Sequence, residues 1–573
     1  MIVNLCFDSV QVLKIIEQYP NETILDITGV LYQKKIRNKL IIARKLDKDG
    51  SIEKCALNNY VETIGELSNH KINKKQSIRD IKIAGIPLLW ITSIAVKHDS
   101  YHWGQVFFFL LSLIEKKQEI FTENIKIILH KSFNNSSSSL KRTIENYLKD
   151  IDVSFITTSS NNIRLFSFFK ILLKESLLFV KFKFKYFTKK KQPRIQIRGK
   201  DIFIVKKIIA VNQNTSDFDV GWMKDSIEDS KRETYNIPFI SSFGNLPNFN
   251  SNNALRQFVR FSPSFIQFFS RVFFLFFVRI KIRKSIRNDF FFRKVSLKKE
   301  LLIEELIKSI DLSSFINNIW LKNFSKKTFN CNYYYSDELY KTGRIISLSI
   351  DKKNTTIGVQ HGLIPLNHTV YRITDKEQVG ENPLPLPDKI FLWDKIFEDR
   401  LRFNSKIIKE RIYIIDNLQY HNFKMDIQDG KKNIVDRTKK NLLWCTTLPE
   451  HFIFEASIFK KINTDNYNVR IRLHPVGHIN NEFVRLILQE DVQYSISKSS
   501  LIDDFIFADI VITNPYSTVF YDAINAGVPV IRILHFATFI DFKKDFKGMM
   551  FDVYDNNDFD KSILEINKIL RKS

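Results

Sequence analysis

Short apolar runs alternate with helical patterns along most of this chain, and that alternation limits the possible folds more than any other feature. Residues 1–160 contain the runs TILDI, IPLLWITSI, NIKIILH and VSFITT, separated by stretches such as WGQVFFFLLSLIEKKQ. After NPLPLPD near residue 380, a second series follows: KIFLWD, RIYIID, NLLWCTT, NVRIRLHP, ADIVITN and VPVIRIL. Strands that alternate with helices are typical of parallel sheets covered by helices. We therefore predict an α/β fold of two Rossmann-like parallel-sheet domains, at 1–380 and 381–573.

The composition excludes several other classes of protein. Hydrophobic residues make up 44% and aromatic residues 13% of the 573 residues, which is enough for packed cores and excludes global disorder. The four cysteines are far apart in sequence and have no CxxC spacing. A disulfide scaffold and a cysteine zinc ribbon are therefore excluded, and a reducing compartment is favoured. Because the first ten residues lack a basic segment followed by an apolar one, we expect a cytoplasmic protein.

Basic residues are concentrated in two segments of the first predicted domain. The formal net charge is +26, from 88 Lys and Arg against 62 Asp and Glu, and part of it reflects a bias toward Lys, Asn and Ile. Residues 164–200 hold twelve basic residues and one acid, and residues 271–299 hold ten and one. Both segments are rich in Phe, Leu and Ile, but neither has the ~20 uncharged residues of a membrane span. We predict amphipathic inserts at about 163–200 and 263–300 that lie on an anionic membrane surface; buried helices with a solvated lysine stripe are the alternative.

Nucleic acid is another partner that basic proteins bind, and the sequence argues against it. It contains no zinc-finger spacing, no RNP-like aromatic motif and no basic region that leads into heptads. The aromatic residues lie inside apolar runs, whereas a surface that stacks bases needs them interspersed with basic residues. We predict no nucleic-acid partner.

Two predicted strand ends carry histidines. Ligands of parallel sheets bind beyond the carboxyl ends of the strands, so residues at these positions are candidates for a site. The first strand end is Gln360-His361-Gly362, in which His361 is a candidate general base or phosphate ligand, or else a histidine that only caps a turn. The second is the segment Arg472–Pro475, a weaker signal, in which the proline ends the strand and directs His474 outward.

A third strand end combines several features of a phosphate site. The strand ADIVIT is followed by Asn514, Tyr516, Ser517 and Thr518, then by a helical stretch and by Gly-x-Pro before another strand. Ser517 or Thr518 is expected to cap the helix, whose free N–H groups and positive dipole end favour phosphate. Asp522, within the helix, is placed to reach a ribose hydroxyl.

Other signals are weaker. His98, Asp99 and His102 follow the run IPLLWITSI and are candidates for acceptor contacts or for acid–base chemistry. Two DxD strings lie in polar loops, and we predict no metal site from them. The sequence has no GxSxG, P-loop, GxGxxG or HExxH motif, which leaves hydrolase, NTPase, dinucleotide and zinc-protease functions without support.

The order of these motifs resembles bacterial surface-carbohydrate glycosyltransferases of the GT-B fold. The order is QHG, a linker, HP, and then Tyr-Ser-Thr with an acidic residue before a Gly-x-Pro-Val strand. The group includes capsule and lipopolysaccharide transferases that use CMP-activated sugars, and teichoic-acid polyol-phosphate transferases, which use CDP-polyols, have a similar ending. The segments IGVQHGLIP and IPLLWITSIAVKHDSYHWG are similar to the middle and N-terminal parts of surface carbohydrate biosynthesis proteins. The match runs from roughly 80 to 540, rests on short motifs and is more specific in the C-terminal half.

The resemblance implies roles for individual residues. His361 and Asp99 are alternative catalytic bases, and His98 and His102 lie on the acceptor side. His474 and Pro475 contact the nucleotide, Ser517 and Thr518 hold the donor phosphate, and Asp522 is near the ribose. The full implied donor-binding set is Gln360, Gly362, Arg472, His474, Pro475, Asn514, Tyr516, Ser517, Thr518 and Asp522. Asn514-Pro515 replaces an acidic residue that relatives often carry, which bears on donor specificity.

The function implied is an inverting, metal-independent glycosyltransferase at the inner face of the cell membrane. It would move a sugar from a nucleotide-sugar donor, CMP-linked, to a surface polysaccharide or a lipid-linked glycan precursor, with no other cofactor. Two alternatives stay open. One is a CDP-polyol phosphotransferase of the teichoic-acid type, and the other is a non-catalytic scaffold for polysaccharide assembly at the membrane surface.

Overall fold

A computed structural model of the chain describes residues within eight ranges. They are 1–129, 144–157, 173–181, 197–205, 234–238, 263–277, 312–415 and 439–570, with gaps inside them, of which 88–100 is the longest. Three parallel sheets account for most of the strands in these ranges.

The first sheet has five strands. In chain order they are β1 (Ile2–Leu5), β2 (Ile24–Asp26), β3 (Leu40–Ile42), β4 (Ile125–Leu129) and β5 (Val153–Thr157). Their spatial order is β3-β2-β1-β4-β5, and every neighbouring pair is parallel. All residues of β1 are buried, as expected for a central strand that is covered on both faces.

The second, central sheet has six strands. They are β6 (Asp201–Val205), β7 (Thr234–Pro238), β8 (Asn332–Tyr335), β9 (Thr355–Val359), β10 (Lys389–Leu392) and β11 (Ile412–Ile414). The spatial order is β7-β6-β8-β9-β10-β11, again with parallel pairs throughout.

The third, C-terminal sheet also has six strands. They are β12 (Lys440–Cys445), β13 (Tyr467–Arg472), β14 (Ser495–Ile496), β15 (Ile510–Thr513), β16 (Val530–Ile533) and β17 (Met550–Val553). The order β14-β13-β12-β15-β16-β17 corresponds to 3-2-1-4-5-6 within the sheet, the strand order of the dinucleotide-binding fold. The Trp444 ring stacks on Phe452 and Phe459 in the core beneath this sheet, with centroids 4.8 and 4.6 Å apart.

Helices connect the strands. In chain order they are α1 (Ser9–Ile16), α2 (Ser51–Ser68), α3 (Tyr101–Lys116), α4 (Leu312–Ser325), α5 (Lys341–Ser349), α6 (Asp375–Gln378), α7 (Lys395–Asn404), α8 (Asn481–Leu488), α9 (Leu501–Phe507), α10 (Val519–Asn525) and α11 (Asn556–Leu570). Turns of 3-10 helix occur at Ala43–Leu46, Gln118–Ile120 and Thr369–Tyr371. Short two-stranded pairs join Lys71–Asn73 to Gln76–Ser77, Lys82–Ile83 to Ile86–Pro87, and Ile197–Arg198 to Thr328–Phe329.

The α/β class with parallel sheets, predicted from the alternation of runs, is confirmed. The chain separates into two compact units, one made of residues 1–361 and 368–415 and the other of 362–367 and 416–573. The first unit contains two parallel sheets where one was expected. The division falls after 415 and not at 380, because KIFLWD and RIYIID form β10 and β11, which extend the central sheet. β10 pairs with β9, and β11 pairs with β10.

Parts of both predicted inserts lie in the described residues and are helical, around 173–181 and 265–270. The Phe179 ring stacks on the Phe268 ring, with centroids 3.9 Å apart and 8° between the ring planes, so the two inserts contact each other. Leu177, Phe273 and Phe277 are each more than half exposed. The most basic stretches, 182–196 and 278–300, lie outside the described residues. Among the helices that are described, none is both long and apolar enough to cross a bilayer.

Candidate functional site

The carboxyl edge of the C-terminal sheet brings together two strand ends that were predicted from the sequence. One carries His474 and the other carries Ser517. The central strand β12 has β13 on one side and β15 on the other, with Cys445 opposite both Arg472 and Thr513. Thr446 and Asn514 follow β12 and β15 directly, and strands are spaced about 5 Å apart. At this position the chain changes winding direction, which is where open α/β sheets bind ligands.

Thr446 is a site residue that sequence reasoning missed. Its hydroxyl accepts a hydrogen bond from the His474 backbone N–H at 3.3 Å, and its own N–H donates to the Arg472 carbonyl at 3.0 Å. Thr446 therefore holds the turn that carries His474, which is half-buried. The signal was present in the run NLLWCTT, because the first of its two threonines directly follows a strand at the same edge. The neighbouring Pro475 lies outside the described residues.

Arg472 is engaged in an ion pair that anchors α9 to the sheet. Its Nη1 donates to Asp504 Oδ2 at 2.7 Å and to the Ser499 carbonyl at 2.9 Å. Asp504 is fully buried and also accepts from Arg470 Nη1 at 3.2 Å and from Ser497 Oγ at 2.6 Å. This pairing assigns Arg472 a structural role, and a donor contact would have to compete with it.

Ser517, and not Thr518, supplies the hydroxyl at the start of α10. Ser517 Oγ accepts from the Val519 N–H at 3.3 Å, whereas Thr518, at the N-cap position, makes no capping bond through its side chain. The Ser517 N–H in turn donates to the Asn514 carbonyl at 3.2 Å, which closes the loop between β15 and α10. Asp522 lies half-buried in the first turn of α10. Tyr516 lies outside the described residues.

The Gly-x-Pro segment, which begins at Gly527, forms the C-terminal cap of α10. Gly527 has a φ of +74°, and its N–H donates to Ile524 O while the Val528 N–H donates to Ala523 O, both at 2.9 Å. These two bonds form a Schellman motif, which requires a left-handed residue and so favours glycine. The motif directs the chain from α10 back into β16.

Glu455 is an acidic residue buried directly beneath this edge. Its Oε2 accepts from Trp444 Nε1 at 2.8 Å, and its side chain is fully buried. Burial is the dominant influence and raises the pKa of Glu455 to about 8, although the hydrogen bond from Trp444 and the neighbouring Asn514 side chain act in the opposite direction. The carboxyl group is therefore neutral at pH 7. Burial likewise raises the pKa of the Cys445 thiol, which excludes a reactive thiolate there.

In the first unit, Gln360 and His361 follow β9 at the carboxyl edge of the central sheet. Gln360 is fully buried; its Oε1 accepts from the Trp393 N–H at 3.0 Å, and its N–H donates to Phe391 O at 2.9 Å. Gln360 thus ties the end of β9 to β10 and supports the backbone before His361. This burial argues for a positioning role rather than the predicted donor contact.

His361 contacts Tyr340, which belongs to a ring cluster with His368 and Tyr371. The ring centroids of Tyr340 and His361 are 5.2 Å apart in an edge-to-face arrangement, and Tyr340 Oη lies 2.9 Å from His368 Nε2. His368 Nδ1 accepts from the Val370 N–H at 3.3 Å, so the neutral ring carries its proton on Nε2 and donates it to Tyr340. Sequence reasoning missed Tyr340 and His368, because neither belongs to the QHG motif that marks His361.

The structure describes only some of the remaining predicted site residues. Gly362 does not have a positive φ, and a Cβ there would meet no atom within 4 Å, so the backbone does not require glycine at this position. His102 lies in α3, but its side chain, like His98 and Asp99, is outside the described residues. Within the described ranges, no group of three or more His, Cys, Asp or Glu side chains is arranged to hold a metal ion.

Comparisons with known proteins give only distant structural similarity. No protein-family model matches the chain, and no curated protein matches it. The wall teichoic acid polymerase TagF is 11% identical with a TM-score of 0.33, covering 72% of this chain and 90% of that chain. The catalytic domain of starch synthase IV from Arabidopsis thaliana is 10% identical with a TM-score of 0.26, covering 45% and 69%, and the glycosyltransferase of kitacinnamycin is 8% identical with a TM-score of 0.27, covering 65% and 91%. Similarities at this level carry no argument about activity.

Proposed function

We propose that this protein is a glycosyltransferase that moves a sugar from a CMP-linked donor to a surface polysaccharide or a lipid-linked glycan precursor. The observation that carries the proposal is the carboxyl edge of the C-terminal sheet. A sheet with the strand order 3-2-1-4-5-6 places Thr446, His474, Asn514 and Ser517 at its change of winding. Sheets of this order bind nucleotides at that position.

The proposed reaction is a direct displacement that needs no metal. His361 acts as the base that takes the proton of an acceptor hydroxyl, and the freed oxygen attacks the anomeric carbon of the donor sugar. The bond from that carbon to the donor phosphate oxygen breaks, and the nucleotide leaves with the electron pair. Ser517 and the backbone N–H groups near it stabilise the charge that develops on the leaving phosphate.

We also propose that the two inserts hold the enzyme against an anionic membrane surface. Leu177, Phe273 and Phe277 are exposed apolar side chains, and Lys174 and Lys181 are exposed beside Leu177. Exposed apolar groups next to lysines are typical of segments that lie in the headgroup layer. A lipid-linked acceptor would be met at the same surface.

A thermal-shift screen against CMP, CDP, UDP and GDP tests the donor site. We expect CMP to stabilise the protein, by about 2.7 kcal/mol when its concentration is 100 times its dissociation constant. Ser517→Ala is expected to weaken the CMP shift, whereas Ser495→Ala, at an exposed position on the outer strand β14, is the matched control. CDP-polyol binding in preference to CMP would favour the phosphotransferase, and UDP or GDP alone would contradict the cytidine donor. If none of the four nucleotides changes the melting temperature, the non-catalytic scaffold for polysaccharide assembly is favoured.

A further inference from the structure

Glu455 bridges the two strands that flank the change of winding. It accepts a hydrogen bond from Trp444, which belongs to β12, and it interacts with the side-chain amide of Asn514, which directly follows β15. Its second oxygen, Oε1, accepts no hydrogen bond of regular length within the described part of the chain. A buried carboxyl group in this arrangement contacts both sides of the proposed donor site from below.

The surroundings of Glu455 favour its neutral form. The charged groups that act on the neighbouring Cys445 thiol of β12 are Arg472 on β13, Asp504 on α9, Asp522 on α10 and Glu455 itself. Arg472 is paired with Asp504, so its charge is already compensated. The cause of the raised pKa of Glu455 is burial, with no nearby cation contributing among the described residues.

We propose that Glu455 is a positioning residue for the loop from Asn514 to Ser517 and thereby keeps the site above it competent for an anion. This inference rests on the proposed donor site. Loss of the proton would place an uncompensated negative charge beneath the position of the donor phosphate. The charge would also strengthen the interaction with the Asn514 amide and so alter the start of the loop. Binding of phosphate and deprotonation of Glu455 should therefore oppose each other reciprocally.

The indole N–H of Trp444 is a direct reporter of this group. In protein labelled with ¹⁵N-tryptophan and ¹⁵N-serine, the Trp444→Phe variant identifies the Trp444 resonance among the six tryptophans, and the Ser517→Ala variant identifies the Ser517 amide. We expect that resonance to titrate with a midpoint near pH 8, the Ser517 amide resonance to move with the same midpoint, and both to stay constant in Glu455→Gln. Glu482→Gln, on α8 of the same unit, is the matched control and should leave both titrations unchanged. A Trp444 resonance that is constant from pH 6 to 10, or that titrates while Ser517 does not move, would overturn the inference.

CMP binding gives an independent readout of the same group. We expect the dissociation constant for CMP to rise above pH 8 in the wild type, by at most about tenfold per pH unit for one proton, and to stay flat in Glu455→Gln. A wild-type affinity that is equally flat would contradict the inference. If CMP does not bind at any pH, the proposed donor function fails, and the Ser517 resonance still decides whether Glu455 positions the loop.

Discussion

At the scale of single residues, two fully buried acids of the C-terminal unit differ in the side chains that they contact. Asp504 is paired with Arg470 and Arg472 and holds α9 against the sheet. Glu455 has the Trp444 indole and the Asn514 amide as neighbours and keeps its proton. Asp504 therefore has two cationic partners, whereas no cation contributes to the raised pKa of Glu455 among the described residues.

Glu455 should make folding stability fall as the pH rises. Below the ordinary pKa of 4.5, the group is protonated in both the folded and the unfolded chain. Between 4.5 and about 8, the unfolded chain has lost this proton and the folded chain has kept it, so stability falls by at most about 1.4 kcal/mol per pH unit. We expect urea unfolding from pH 5 to 9 to show a smaller fall in Glu455→Gln than in the wild type. The same pH dependence in both proteins would mean that Glu455 is ionised in the folded state.

At the scale of elements, the two glycines of the predicted motifs behave differently. Gly527→Ala should destabilise the protein by about 1 kcal/mol, because alanine disfavours the φ of +74° in the Schellman motif. Gly362→Ala is the control, since its backbone does not require glycine and its Cβ would meet open space. Its change in the free energy of unfolding should stay within about 0.5 kcal/mol. Chemical denaturation of both variants measures the difference, and equal losses would contradict it.

Strands were predictable from the sequence, but the sheet to which each belongs was not. The runs TILDI and NIKIILH form β2 and β4, because strands buried on both faces consist mainly of consecutive apolar residues. The run VSFITT forms β5 at the edge of the sheet, where Ser154 is exposed. KIFLWD forms a strand as predicted, but this strand belongs to the central sheet and not to the C-terminal one. It pairs with β9, and a local sequence pattern does not reveal which strand is the partner.

The candidate site, too, could be predicted only in part from the sequence. His361, His474 and Ser517 follow recognisable strand ends, so their positions at a sheet edge could be inferred. Glu455 lies in a helical stretch where a glutamate would ordinarily face solvent, and only its contact with Trp444 identifies it as buried. Its role arises from tertiary packing, which the sequence pattern does not encode.

At the scale of the whole molecule, the net charge of +26 and the exposed apolar inserts should act together at a membrane. We expect binding to vesicles that contain anionic phospholipid to weaken as salt rises from 0.1 M to 1 M, because the screening length falls from about 10 Å to 3 Å. A Phe273→Ser/Phe277→Ser variant should bind less at every salt concentration, measured by flotation.

The matched control for that experiment is Leu486→Ser, an exposed apolar residue on α8 of the other unit. It should float as the wild type does. Equal flotation with neutral and anionic vesicles would assign the basic excess to compositional bias.

The parallel first sheet also has a consequence for synthesis of the chain. Its central strand β1 pairs with β4, so Ile2 is opposite Lys126. β1 and β2 leave the ribosome about 100 residues before β4, so one edge of β1 stays unpaired until residues 125–129 follow. At about 5–20 residues per second, that interval lasts roughly 5–20 s, during which the unpaired backbone N–H and C=O groups along this edge of β1 are open to wrong partners. Cells that make this protein should therefore depend on a chaperone at the ribosome to protect its N-terminal strands.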